Sequence, residues 1–128
     1  MIPVLCAIIY IDNKILVAQR SEKMKLPLKW EFPGGKLEEN ESEIDCIKRE
    51  IKEELNIEIE ILKRLSSSAF DYGTFKIKLI PYLANYVSGD IQLSEHNDYR
   101  LLDKSELLNL DWAEADIPIV EEFLKLEL

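Results

Sequence analysis

The stretch GKLEENESEIDCIKREIKEELNI, residues 35–57, decides how this chain folds. It begins on the second glycine of a pair, Gly34-Gly35, crosses an acidic segment and turns periodic at Ser42. From Ser42 to Leu55 no proline or glycine interrupts it, and Ser42 is a good N-cap residue. At about 100° per residue, Ile44, Ile47, Ile51 and Leu55 fall within about 80° of one another, so the spacing predicts an amphipathic helix with that face in the core. Glu43, Glu50, Glu53 and Glu54 form a wedge beside it, and Lys48, Arg49 and Lys52 lie on the other side. Like charges three and four apart cost about 0.2–0.5 kcal/mol per pair. A helix shaped for stability alone would interleave lysines there.

Outward from this helix the chain reads as strands. Val4–Ile11 is a β-rich run, Asp12-Asn13 is a two-residue turn signal, and Lys14–Gln19 returns as a second strand. Ser21–Leu28, broken by Pro27, is expected to be a loop, and Trp30–Pro33 is a short aromatic stretch after which Gly34-Gly35 breaks the pattern. Beyond the helix, Ile59–Ser66, Phe75–Val87 and Tyr99–Leu102 are strand-like, with Ser88-Gly89-Asp90 as a turn. Lys104–Leu110 reads as a helical turn or two. Ile117–Leu126 reads as a closing amphipathic helix with Pro118 near its start. The order predicts one α+β domain, residues 1–128, with a mixed sheet packed against helices.

Composition narrows the function. The 128 residues include 16 basic and 25 acidic side chains, a formal charge of −9. Such a surface repels a phosphate backbone, so a nucleic-acid polymer is not the expected partner. The longest N-terminal apolar run falls short of the ~20 residues of a membrane helix and lacks the features of a signal peptide. Cys6 and Cys46 have no metal-site spacing and read as reduced, buried thiols of a cytoplasmic protein.

Clustered carboxylates have two readings. One is a solvated acidic face. The other is a divalent cation site, since Mg²⁺ takes oxygen ligands and is usually shared with substrate phosphates. Glu50 and Glu54 stand one turn apart and can reach one ion, with Glu53 adjacent. Glycines let backbone approach a ligand closely, and Lys36 follows them as a point charge for phosphate.

Gly35, Glu41, Arg49, Glu50, Ile51, Glu53, Glu54 and Ile57 stand in the pattern Gly-x5-Glu-x7-Arg-Glu-U-x-Glu-Glu-x-x-U, where U is aliphatic. This resembles the Nudix box, the signature of hydrolases that cleave nucleoside diphosphates linked to another group. The family's usual glycine after the Glu pair is Asn56 here, the next best residue for a left-handed helix end. The resemblance implies a Nudix fold, an α/β/α sandwich with the box helix and the C-terminal helix flanking a mixed sheet. It implies Mg²⁺, with Mn²⁺ as a substitute, held by Glu50, Glu53, Glu54 and the Gly34 carbonyl. It makes Arg49 the residue that orients a Glu, with Glu53 as its i,i+4 partner, and Glu41 a support for the metal shell. Glu53 is also a possible base.

The resemblance extends past the box. Trp30-Glu31-Phe32-Pro33-Gly34-Gly35-Lys36 is similar to the run in the MutT-like branch, which sanitises nucleoside triphosphates. Arg20 and Lys36 then bind phosphate, Glu95 adds a metal ligand or acts as base, and Phe32 and Asp116 bind the base. The nearest subgroup acts on CTP and on oxidised or modified nucleotides such as 8-oxo-dGTP, giving a monophosphate and pyrophosphate. A dinucleoside polyphosphate, with Tyr72 as its marker unless that is only a structural aromatic in a turn, or ADP-ribose is the alternative substrate, and a non-catalytic Nudix module is a third reading. Several residues also carry plain readings. Arg20 and Glu95 can be solvent residues, Phe32 and Trp30 core aromatics, Asp116 a cap for the last helix, and His96 a surface histidine more readily than an acid–base group.

Overall fold

The structure, a computed structural model, describes residues 1–126. Its elements in chain order are β1 (Ile2–Ile11), β2 (Lys14–Gln19), β3 (Trp30–Glu31), β4 (Gly34–Lys36), α1 (Glu43–Leu55), β5 (Glu58–Arg64), β6 (Ser68–Asp71), β7 (Lys76–Ser88), β8 (Asp98–Leu102) and α2 (Ile117–Lys125). Two 3-10 turns, Lys104–Asn109 and Glu114–Asp116, lead into α2. This is the mixed sheet between helices that the sequence predicts.

Strand β1 organises the molecule. It runs parallel to β7 from Ile2↔Ile77 to Tyr10↔Asn85, and every other named pairing is antiparallel. Side chains alternate across a strand, so one strand feeds two cores. Leu5, Ala7 and Ile9 lie under α1 with Ile47, Ile51 and Leu55. Cys6 and Ile8 face the other way, toward Ile119, Val120 and Phe123 of α2. Each of these large apolar side chains contributes roughly 1.5–3 kcal/mol by leaving water.

The β1–β2 hairpin turns on Asp12 and Asn13, at φ 50° and 64°, the left-handed pair of a tight hairpin. The two strands are in register only beside that turn, at Tyr10↔Ile15 and Ile11↔Lys14. Beyond it they diverge. The segment 30–36 fills the gap, giving β3 to β2 and β4 to β1.

Here the structure corrects the expected break at the glycines. Gly34 and Gly35 are strand residues, paired with Cys6 and Leu5. Close packing explains them: a Cβ on Gly34 would collide with the Leu5 carbonyl, and one on Gly35 with the Glu50 carboxylate.

Helix α1 starts and stops as the sequence predicts. Ser42 Oγ accepts from Asp45 N at 3.0 Å. Asn56 adopts φ 62° and its N–H reaches the Lys52 carbonyl at 3.0 Å. The buried face is rotated from the predicted one. Ile44 is 42% exposed, and Cys46 takes its place in the core because β4 lies beneath that side of the first turn. Strand β6 was not expected, and β7 continues through Ser88, which the sequence places in a turn.

Candidate active site

A cleft of about 390 Å³ opens where β1 and β2 diverge. It brings together Arg20, Phe32, Gly34, Lys36, Glu54, Glu95 and Asp116, residues from five separate segments of the sequence. Glu50 lies against Gly35 at its edge.

Glu54 faces the cleft from the last turn of α1. Its Oε1 accepts the Gly34 N–H at 3.0 Å, which ties helix to strand. Burial, together with the nearby Glu31, Glu50 and Glu95 carboxylates, pushes the Glu54 carboxyl up to about 9. Burial also raises Glu50, against the pull of Arg49.

Arg49 is the hub on the flank of the helix. Its Nε and Nη2 reach the two Glu41 oxygens at 2.6 and 3.0 Å, and its Nη1 reaches Glu50 at 2.8 Å and Glu53 at 3.3 Å. The expected i,i+4 contact with Glu53 is present, but the principal partner is Glu41, a two-point contact. Two parallel N–H···O bonds to one carboxylate make the stronger pair. They hold the Glu41 carboxyl down at about 2. Glu53 stays largely exposed, outside the cleft lining.

At the other end, Asp116 is buried and accepts the Phe32 N–H at 3.0 Å. Burial first, and Glu31 second, drive its carboxyl well above the usual carboxylate range. The cap reading of Asp116 fails. The 3-10 turn before α2 delivers the chain already helical, with φ −78° and ψ −22° at Asp116, so no extended cap residue exists and its side chain caps nothing. Phe32 borders the cleft, but the residue is only 2% exposed and its ring packs on Trp112 with centroids 4.9 Å apart.

Among the comparisons with known proteins, the NUDIX domain description matches residues 2–123. The chain belongs to the Nudix family. It is 36% identical to the CTP pyrophosphohydrolase of Escherichia coli over 126 residues, which span 98% of this chain and 93% of that one. It is 29% identical to an 8-oxo-dGTP diphosphatase of Buchnera aphidicola over 123 residues, 96% and 93% of the two chains. A solution structure of a MutT Nudix protein from Staphylococcus aureus is 44% identical, with a TM-score of 0.77 over 96% of this chain and 95% of that one.

The Nudix-box donors suit a hard divalent cation. All are oxygens, and Glu54 sits among three other carboxylates with no basic side chain bonded to it. Among the described residues no three His, Cys, Asp or Glu side chains already stand in ligand geometry. Arg49 draws Glu50 and Glu53 to itself, so a cation there competes with the guanidinium for Glu50.

Two residues of this Nudix site escaped the sequence reading. Glu31 lines the cleft, accepting Arg20 Nη1 on one oxygen at 2.8 Å and contacting His96 Nε2 through the other at 2.8 Å. His96, expected at the surface, is buried. The available signal was a charged residue between two aromatics, Trp30 and Phe32, which needs partners once buried. Trp30 is in the core as one of its readings held. Tyr72 reaches the cleft, but its hydroxyl accepts the Ala115 N–H at 2.8 Å. No helix of the described residues is long and apolar enough to cross a membrane.

Proposed function

We propose that this Nudix protein hydrolyses nucleoside triphosphates to the monophosphate and pyrophosphate, using Mg²⁺ or Mn²⁺, with CTP-type and oxidised nucleotides as its substrates. The observation that carries the reading is the cleft itself, which has crowded carboxylates at one end and a buried carboxyl beside an aromatic at the other. The carboxylate end suits cation-bound phosphates, and the Asp116 end suits a base. The named relatives, one acting on CTP and one on 8-oxo-dGTP, support the same substrate class.

In this reading Glu50, Glu54, Glu95 and the Gly34 carbonyl hold the cation, with Glu53 joining from the exposed flank. The cation supplies charge neutralisation for the diphosphate and a more acidic water. Lys36 and Arg20 bind phosphate oxygens. Glu41 fixes Arg49, and Arg49 fixes Glu50. A water oxygen forms a bond to the β phosphorus, the bond from that phosphorus to the α–β bridging oxygen breaks, and the monophosphate leaves. Either Glu53 or Glu95 takes the proton of the water. Asp116, which already accepts one N–H from Phe32, keeps its second oxygen for the base. A dinucleoside polyphosphate is the weaker reading because the Tyr72 hydroxyl is engaged by Ala115.

The test is pyrophosphate release with Mg²⁺ from CTP, dCTP, 8-oxo-dGTP and dGTP, beside ADP-ribose and a diadenosine polyphosphate, with Glu53→Gln as control. Pyrophosphate from a triphosphate, lost in the variant, is expected. Turnover confined to ADP-ribose or the dinucleotide would overturn the assignment of Asp116. Hydrolysis in ¹⁸O-water is expected to label pyrophosphate; label in the monophosphate alone would exclude β attack.

A further inference from the structure

One polar side chain sealed beside the cleft has no part in the reactions above. His96 is the single histidine of the chain, and its side chain has no solvent exposure. Nε2 stands 2.8 Å from Glu31 Oε2, and Nδ1 is buried with no partner among the described residues. A buried N–H without an acceptor costs more than a bare lone pair, so the ring hydrogen belongs on Nε2, donated to Glu31.

Glu31 is therefore held twice, by Arg20 at 2.8 Å on Oε1 and by His96 on Oε2. It lines the same cleft as Glu54 and Asp116. The imidazole is not needed to anchor its own loop. Ser94 N already bonds to the Glu54 carbonyl at 3.1 Å, and Asn97 N to the Gln19 carbonyl at 2.9 Å, which fixes the backbone on both sides of Glu95. What the ring alone holds is the Glu31 carboxylate.

We propose that His96 is a positioning residue for substrate recognition, clamping Glu31 from beneath so that its carboxylate stays in the cleft wall beside Asp116, against the nucleoside end of the substrate. The inference rests on the nucleotide reading of the cleft. It adds a residue outside the box and outside the cation carboxylates that sets how tightly substrate binds.

One histidine makes the clamp directly visible. With ¹⁵N-labelled histidine, the free protein is expected to show the Nε2–H form of a single ring, and Glu31→Gln to shift that Nε2–H signal. A ring unmoved by Glu31→Gln would overturn the clamp whether or not any His96 variant folds. In kinetics with the preferred triphosphate, His96→Leu is expected to raise KM about tenfold, the value of one lost hydrogen bond to a charged group, with kcat within about twofold. His96→Gln, which returns an N–H near Nε2, should recover most of that loss. In a Glu31→Ala background, which leaves the ring no acceptor, His96→Leu should add nothing. Additive losses, a fall in kcat alone, or a weaker Mg²⁺ activation with KM unmoved would each overturn the proposal, the last by moving the role of the ring to Glu95. Absence of turnover of any triphosphate by the wild type would bring down the nucleotide reading and this proposal with it. Wild-type turnover with both His96 variants unchanged would bring down this proposal alone.

Discussion

Gly35 is the residue at which the sheet makes room for the chemistry of the helix. A Cβ there would drive into the Glu50 carboxylate, which has Arg49 on its other side and cannot yield freely. Gly35→Ala is therefore expected to displace Glu50 by about 1 Å and lower kcat/KM roughly 100-fold, with a higher Mg²⁺ concentration for half-activation and a near-normal far-UV spectrum. A kinetic titration with Mg²⁺ checks it. Glu41 makes a prediction in pH. Arg49 holds its carboxyl at about 2, below its ordinary 4.5. A depressed folded-state value stabilises the protein fully above the unfolded value and loses that contribution as pH falls from about 4.5 toward 2. Glu41→Gln should remove that component, so the urea midpoint of the variant should fall less steeply over this window; an unchanged slope would deny the pair its role. The spacing of Glu50, Glu53 and Glu54 along one helix was enough to single them out. Glu31 and His96 were not legible, because the bond that gives them meaning joins residues 65 positions apart.

At the level of elements, local rules read well where a single residue decides the backbone. Asn56 closes α1 in the left-handed region at φ 62°, and its side chain donates to the Asp90 carbonyl at 3.2 Å. Asn56→Ala is expected to destabilise by about 1–2 kcal/mol, since a Cβ without a local hydrogen bond is strained there. Asn56→Gly loses the same side-chain bond but removes the strain, and should lie within about 1 kcal/mol of wild type. Urea unfolding of the two variants separates strain from hydrogen bonding, and equal losses would refute the left-handed cap. The same local rules misplaced elements whose reason is tertiary. Gly34-Gly35 reads as a break because glycine weakens strands, yet here it is the only residue type that lets β4 approach β1 and Glu50. Ile44 fits the helical stripe, but β4 lies under Cys46 instead, a fact of the sheet and not of the helix. Strand β6 has exposed residues at three of its four positions and so carries no alternating signal.

The whole molecule combines a formal charge of −9 with a cleft whose carboxylates face one another across a gap between diverging strands. The fold tolerates that crowding through Arg49 on one flank, while Glu54, on the other, has only the Gly34 N–H among the described residues. Stability and cation binding should therefore be linked through Glu54. At a Mg²⁺ concentration 100 times its dissociation constant, binding to the folded state adds about 2.7 kcal/mol. For a chain of this size that raises Tm by roughly 10 °C. Potassium chloride at matched ionic strength should reproduce little of it, since screening acts on the whole surface and not on one site. Glu54→Gln gives the sharper signature. Glutamine keeps an oxygen for the Gly34 N–H and, like the uncharged carboxyl that burial and Glu31, Glu50 and Glu95 favour, carries no charge, but it cannot ionise to hold a cation. The metal-free variant should melt at or above the wild type, show little response to Mg²⁺, and release no pyrophosphate. A metal-free variant that melts well below wild type would mean that the Glu54 carboxylate serves the fold and not the cation. A variant that keeps the Mg²⁺ shift would place the cation elsewhere on the acidic surface.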